Sequence, residues 1–377
     1  MLQRSKAEIP QVEAQSCPVD QCCSGAKRRS HRWRLGSVLV AGRSSTFLSA
    51  ALLAAVLSVL GAAMPVPLVA LGPGPTYDTL GDVNGAPVVT VDGLPMFPTS
   101  GHLNMTTVAV SDRLTFVQML RAWASGARQV VPRGEIFPPG KTDEQVREEN
   151  TQQFATSESN AELAAMTQLA IPTRVVVGAV VPDSPAASVL RVGDELVAVS
   201  GRTVGTPASV SEALSGTAPG QSVTVTYRRD GQEQTANVAL AASPDRAQGL
   251  LGVRPTVEPR TGDIRISLGD IGGPSAGLMF ALAVVDKLSP GDLTGGRFIA
   301  GTGAIDGTGD VSPIGGIPFK MRAAHDAGAT VFLVPDENCT EAVATAPQGL
   351  QLVRVTGLGD AVTQLEALDR GAPPRSC

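Results

Sequence analysis

The sequence predicts an α/β (α+β) main body, interrupted by an inserted β-rich module and preceded by one long apolar helix. Three observations carry that expectation. The loop Gly272-Gly273-Pro274-Ser275-Ala276-Gly277 opens into a stretch, 278–288, that is apolar almost all round and reads as a buried helix. In the middle of the chain two β-like runs are joined through Ser184-Pro185-Ala186 and Val192-Gly193-Asp194 turns. Near the start, the uncharged run 46–71 follows a basic tail.

At 377 residues the chain has room for two or three compact units, and 43% apolar content with only 3% aromatic implies Ala/Val/Leu cores. Eight Lys/Arg against three acids up to Arg43 give the tail +5, so the remainder carries −10 of the total −5. An acidic body argues against nucleic acid as a partner. The tail 1–45 reads as cytoplasmic and the run 46–71 as a transmembrane anchor, since about 20 apolar residues span a bilayer. Positive charge on the N-terminal side then places everything after Gly72 outside the cytoplasm. A cleaved signal peptide is the rival, with Gly61-Ala62-Ala63 as its small-residue site. Cys17, Cys22 and Cys23 lack partnering histidines at zinc spacing, and neither a metal nor a cofactor is expected. Beyond the tail only Cys339 and Cys377 occur. They either pair, as an oxidising compartment permits, or leave a frayed last residue.

Residues 73–172 hold β-like runs at 87–91 and 103–110, a short helix at 113–124, and a polar stretch, 137–162, that reads as linker or solvated helix. The segment 134–142 is the nearest approach to a nucleotide loop, Gly134 to Gly140-Lys141-Thr142. Its glycines are one residue too far apart, and two prolines stand where backbone N–H groups should cradle phosphate, so it reads as exposed linker. Residues 173–243 form the inserted module, with a helix at 208–215 and closing strands at 223–228 and 234–241. Residues 244–377 complete the main body.

Ser275 stands at the mouth of its helix, where unpaired N–H groups and the positive dipole end favour an oxyanion. Taken alone it reads equally as an ordinary helix N-cap. A serine nucleophile needs a base, and the chain holds few candidates: His31, His102 and His325, with five lysines. Lys6, Lys27 and His31 precede the apolar run. Lys287 lies about 18 Å along the serine's own helix, and Lys141 is in the polar stretch. Lys320 sits among Ile317, Phe319 and Met321 in the first turn of a helix opened by Pro318. Burial and the dipole both favour its neutral form there. A lysine whose head snorkels to water is the bland alternative. A Ser-His pair using His102 or His325 is a third possibility, although His325 points about 140° away from Lys320 on that helix.

Gly273 to Gly277, Thr302-Gly303, Pro313-Ile314-Gly315-Gly316 and Lys320, in that order, resemble the Lon peptidase family, as do Ala323-Ala324-His325 and the strand 330–335. The resemblance implies a Ser-Lys dyad of Ser275 and Lys320, with the Thr302 hydroxyl holding the lysine. Gly273, Pro274 and Ala276 would then contact substrate, and the Ser275 and Ala276 amides would be oxyanion donors. Two positions depart from the long ATP-dependent enzymes. Gly272 replaces an acid, with Asp270 nearby, and Ala304 replaces another.

The stretch 175–201 resembles a PDZ domain of the bacterial protease-associated kind. The resemblance implies binding of extended or C-terminal peptide beside the helix 208–215, with Val210 and Leu214 lining the groove. That both face the module's core instead is the equal alternative. Leu169-Ala170-Ile171-Pro172 is the candidate carboxylate loop. Together the segments resemble the bacterial membrane-anchored PDZ-containing Lon-like proteases. That implies an ATP-independent serine endopeptidase acting on exported or misfolded polypeptides, at a membrane, and often as a homo-oligomer. A non-catalytic PDZ adaptor that retains a protease fold is the alternative.

Overall fold

The computed structural model describes residues 41–243, 247–269 and 273–377, with side chains described from Phe47 onward. The tail up to residue 40, with Cys17, Cys22, Cys23 and His31, lies outside the described residues, as do Asp270 and Gly272.

Helix α1 (Ala41–Ala63) carries exposed Phe47, Leu48, Leu52, Leu53, Leu57 and Leu60. Among the described residues no helix is long and apolar enough to cross a membrane. The apolar run also ends sooner than the sequence suggests. Pro65 and Pro67 cannot continue a helix, and Leu68 already begins strand β1 (Leu68–Asp78). Residues 68–71 therefore belong to the catalytic sheet and not to an anchor.

The longer catalytic elements before the insertion are β2 (His102–Ser111), α2 (Phe116–Ala124), β3 (Gln129–Pro132) and α3 (Asp143–Gln168). The inserted module contains β4 (Thr173–Val180), β5 (Glu195–Val199), α4 (Pro207–Ala213), β6 (Ser222–Arg229), β7 (Gln232–Ala239) and β8 (Val253–Pro259). After it come α5 (Gly277–Leu288), β9 (Phe298–Gly301), α6 (Ile317–Asp326), β10 (Val331–Pro335), α7 (Cys339–Thr345), β11 (Gln351–Val355) and α8 (Leu358–Asp369).

One six-stranded sheet unites the two catalytic segments in the order β11-β10-β9-β2-β1-β3. Strands β9, β10 and β11 run parallel, β9 also runs parallel to β2, and β1 pairs antiparallel with β2 and β3. The mixed pattern follows from the connections. Helical crossovers join the parallel strands, whereas β1 and β2 come from the earlier segment. Helix α5 is buried on every side, as its unbroken apolar run demands, and packs between the sheet and α3.

Helix α3 overturns the reading of 137–162 as linker or solvated helix. A capping box, Thr142 with Gln145, starts it. Phe154, Ser157, Ala161 and Ala164 then recur every three to four residues and are buried against α5, with Phe154 edge-on to Phe280 at 5.7 Å. The buried residues of α3 divide evenly between small ones (Ser157, Ala161, Ala164, Ala165), which let the helices approach closely, and larger apolar ones (Val146, Phe154, Leu163, Met166). Ahead of it, 138–142 form an exposed turn, with Lys141 paired to Glu149.

The module's sheet has the order β7-β6-β5-β4-β8. Its last strand lies beyond the boundary drawn at 243, because β8 pairs along β4 from Val253↔Val180 to Pro259↔Thr173. The insertion's ends thus meet directly, with the Arg260 amide donating to the Pro172 carbonyl at 2.8 Å. Strand β8 is one of the sheet's two edges, and Pro255 and Pro259 are tolerated there because an edge strand has unpaired positions to spare.

Candidate active site

Two loops and one helix bring the dyad together. Gly273 adopts φ +93°, a conformation that suits glycine, and its amide donates to the Asn150 carbonyl of α3 at 3.1 Å. Ser157 of α3 donates to the Pro274 carbonyl at 3.0 Å. Gly277, at the start of α5, lies so close that an added Cβ would sit 2.8 Å from Ser157 Oγ and 2.7 Å from Ile305 Cγ2. The nucleophile loop is therefore clamped by α3, a contribution the sequence reading missed. The Phe154-Ser157-Ala161-Ala164 spacing and the Thr142-Gln145 box were the signals for it.

From the other side, Thr302-Gly303 follows β9 at the carboxyl end of the parallel strands. The Gly303 amide donates to the Ser275 carbonyl at 3.0 Å, and the Leu278 amide returns to the Gly303 carbonyl at 3.2 Å. Lys320 projects from the first turn of α6, whose N-cap, Gly316, is left-handed with φ +74°. The 313–316 loop leading into it is held by Asn338, which accepts from the Ile314 amide at 2.9 Å and donates to its carbonyl at 3.0 Å. Asn338 was also missed. It directly follows β10 and the Asp336-Glu337 pair, a position with no motif of its own.

Lys320 Nζ lies 2.7 Å from Ser275 Oγ and donates to Thr302 Oγ1 at 2.9 Å. Thr302 Oγ1 in turn donates to the Ser275 carbonyl at 3.0 Å. A hydroxyl has one proton, so with that proton committed the Thr302 oxygen accepts from the lysine. The amine's lone pair is left for the serine hydroxyl. Lys320 is 3% exposed and Thr302 fully buried. Burial pulls the Lys320 amine down to about 7 from its usual 10.5, because a charge is poorly solvated there. The arrangement can therefore accept the serine proton near neutral pH.

The dyad opens on a cavity of about 620 Å³ walled by Tyr77, Met105, Val108 and Phe154. Gly273, Pro274 and Ala276 line it beside Ser275. The Ser275 and Ala276 amides have no acceptor among the described residues, so both are open to an oxyanion. Neither His102 nor His325 lines this cavity. His102 is held by Asp78 at 2.7 Å, and His325 lies beside Asp326. Among the described residues no cluster of three or more His, Cys, Asp or Glu is placed to hold a metal.

In the PDZ module the groove assignment for Val210 and Leu214 fails. Both are buried, at 4% and 6% exposure, within the module's own core with Val175, Val177 and Val225. Spacing of one helical turn places them on one face, and that face is turned inward. The 169–172 segment is likewise no carboxylate loop, since Leu169 and Ile171 pack on the catalytic core. What lies open is the edge of β8, with α4 beside it.

Two family models match the chain. Residues 261–364 match the Lon protease (S16) C-terminal proteolytic domain, and residues 146–240 match a PDZ domain. The second match begins inside α3, whose buried face belongs to the catalytic core. Lon protease from Clostridioides difficile is 46% identical over 65 residues, 17% of this chain and 8% of that protein. Lon protease from Heliobacterium modesticaldum is 36% identical over 113 residues, 29% of this chain and 13% of that protein. The chain thus spans only about a tenth of the length of the relatives it matches. Among solved structures, the PDZ domain of an SdrC-like protein from Listeria monocytogenes aligns at 25% identity with a TM-score of 0.20, covering 21% of this chain and 84% of that one. The chain carries a PDZ domain and, around Ser275, Thr302 and Lys320, a Lon protease C-terminal proteolytic domain.

Proposed function

We propose that this protein is an ATP-independent serine endopeptidase. The observation that carries the reading is the 2.7 Å approach to Ser275 Oγ of a buried lysine whose amine is pulled down to about 7. Lys320 takes the Ser275 proton as Oγ attacks the scissile carbonyl. The Ser275 and Ala276 amides receive the developing oxyanion. Lys320 then returns the proton to the leaving amine, and water repeats the sequence on the acyl-enzyme. Thr302 keeps the amine aimed throughout. A non-catalytic adaptor has no use for a desolvated amine aimed at a serine, because burying it costs stability. A fluorophosphonate probe should label the wild-type protein at Ser275 and leave Ser275→Ala unlabelled. Absence of labelling in a folded wild-type protein would remove the enzyme reading and leave the adaptor.

The proposal includes polypeptide substrates bound at the open edge of β8 by strand addition. It also includes anchorage by the apolar run, with both domains outside the cytoplasm. Support comes from the basic tail, from the exposed leucines of α1, and from the Cys339–Cys377 disulfide, whose Cα atoms are 5.1 Å apart. Disulfides persist in oxidising compartments. The full chain should fractionate with membranes, and externally added protease should degrade its PDZ and catalytic domains in intact spheroplasts. A soluble product beginning near Met64 would favour signal cleavage instead. Light scattering of the detergent-solubilised protein tests for the homo-oligomer the family resemblance implies.

A further inference from the structure

Three neighbouring cavities, each sharing lining residues with the next, follow one another between the PDZ module and the dyad. The dyad's cavity meets a second, of about 360 Å³, at Pro274. The second shares Gln152, Thr156 and Asn160 with a third of about 720 Å³. That third cavity is bounded by Arg254, Pro255 and Thr256 of β8 and by the start of α4. The open sheet edge and the nucleophile thus stand at the two ends of this row of cavities.

The floor between them is a face of α3. Gln152, Thr156 and Asn160 stand four residues apart and lie on one side of the helix. Four helical residues advance about 6 Å, and two residues of extended chain advance about 6.6 Å. The stripe therefore meets every second residue of an extended peptide in near register. Its groups are uncharged donors and acceptors with capacity to spare. The Gln152 and Gln153 side chains make no hydrogen bond among the described residues, and Asn160 uses its Nδ2 on the Ile305 carbonyl while leaving its oxygen free. Thr156 Oγ1 donates to the Gln152 carbonyl and keeps its acceptor sites. Amides and hydroxyls of this kind pair with a peptide main chain whatever its side chains are.

We propose that these cavities form one trough, which holds the extended segment of a substrate polypeptide that links the PDZ edge to the scissile bond, recognised through its main chain. The proposal rests on the endopeptidase reading above and adds a path and a length to it. From Glu149 to Leu163, the limits of the stripe's cavities on α3, the helix advances about 21 Å, or about six residues of extended chain.

The test uses full-length Ser275→Ala protein and fluorescein-labelled peptides, lengthened one residue at a time on either side of a fixed central pair. Affinity should climb on one arm only, by about tenfold in all, and level off at about six residues. Ala155 is exposed on the trough floor. Ala155→Trp should flatten that climb, and Gln152→Ala should weaken it without adding bulk. A climb that stops at the central pair, or an Ala155→Trp protein that melts normally and binds every length like its parent, overturns the trough. Because binding is read in the serine-free protein, loss of fluorophosphonate labelling in the wild type would bear on the enzyme reading alone.

Discussion

Lys320→Met should abolish peptidase activity and yield a more stable protein. The activity loss follows from removing the only base that, among the described residues, lies within reach of Ser275 Oγ, and for a unit of this kind a loss of about 10⁴-fold or more is expected. The stability gain follows from the amine's environment. Its folded-state value, about 7, lies below the usual 10.5. The folded state thus binds its proton less tightly than the unfolded chain. Each unit of difference is worth about 1.4 kcal/mol, an upper limit near 5 kcal/mol. Two lost hydrogen bonds, at about 1 kcal/mol each, offset part of it, leaving a gain of about 2–3 kcal/mol near pH 7. The sign sets the pH window. A depressed folded value costs nothing above the unfolded 10.5, grows as pH falls, and reaches its full extent at about 7. The stability difference between Lys320→Met and wild type should therefore shrink as pH rises from 7 toward 10. Wild-type kcat/KM should rise through the same midpoint near 7 as the amine becomes neutral. Denaturant melts across that range provide the check. A variant less stable than wild type at pH 7 would mean the lysine is not held neutral.

Thr302→Val should lower kcat by about 10²-fold with little change in KM. The hydroxyl is buried and touches no substrate; its work is to accept from Lys320 and donate to the Ser275 carbonyl. Valine keeps the volume and removes both contacts. The Ser275 carbonyl retains the Gly303 amide, so the fold should lose only about 1–2 kcal/mol. The amine, no longer pinned, then samples positions away from Oγ, and small misplacements are costly. Thr302→Ser restores the hydroxyl and should recover most of the rate. Activity of Thr302→Val within twofold of wild type would show that packing alone orients the lysine.

The dyad was legible because its chemistry requires rare residues in rare settings. A chain with five lysines leaves one in an apolar first turn, and a Gly-Pro-Ser loop opens a wholly apolar helix. Helix α3 was not legible, because half of its buried residues are alanine or serine and its outer face is polar. Average hydrophobicity therefore conceals a helix that periodicity reveals. Strand β8 was missed for a related reason. Two prolines disguise it, and only its pairing with β4 shows that the PDZ sheet continues past the expected boundary. Val210 and Leu214 mark the remaining limit: spacing fixes which residues share a helix face, and only packing decides where that face points.

The meeting of Pro172 with Arg260 changes what closing the catalytic sheet demands of the chain. Strand β2 must pair with β9 across the whole insertion, and loop-closure entropy rises with the logarithm of the intervening length. Once β4 and β8 zip together, the two ends stand one hydrogen bond apart. The insertion then acts as a short tether, and the two halves of the protease search for each other almost as if nothing lay between them. The PDZ module thereby serves as the clasp that lets a split catalytic body assemble.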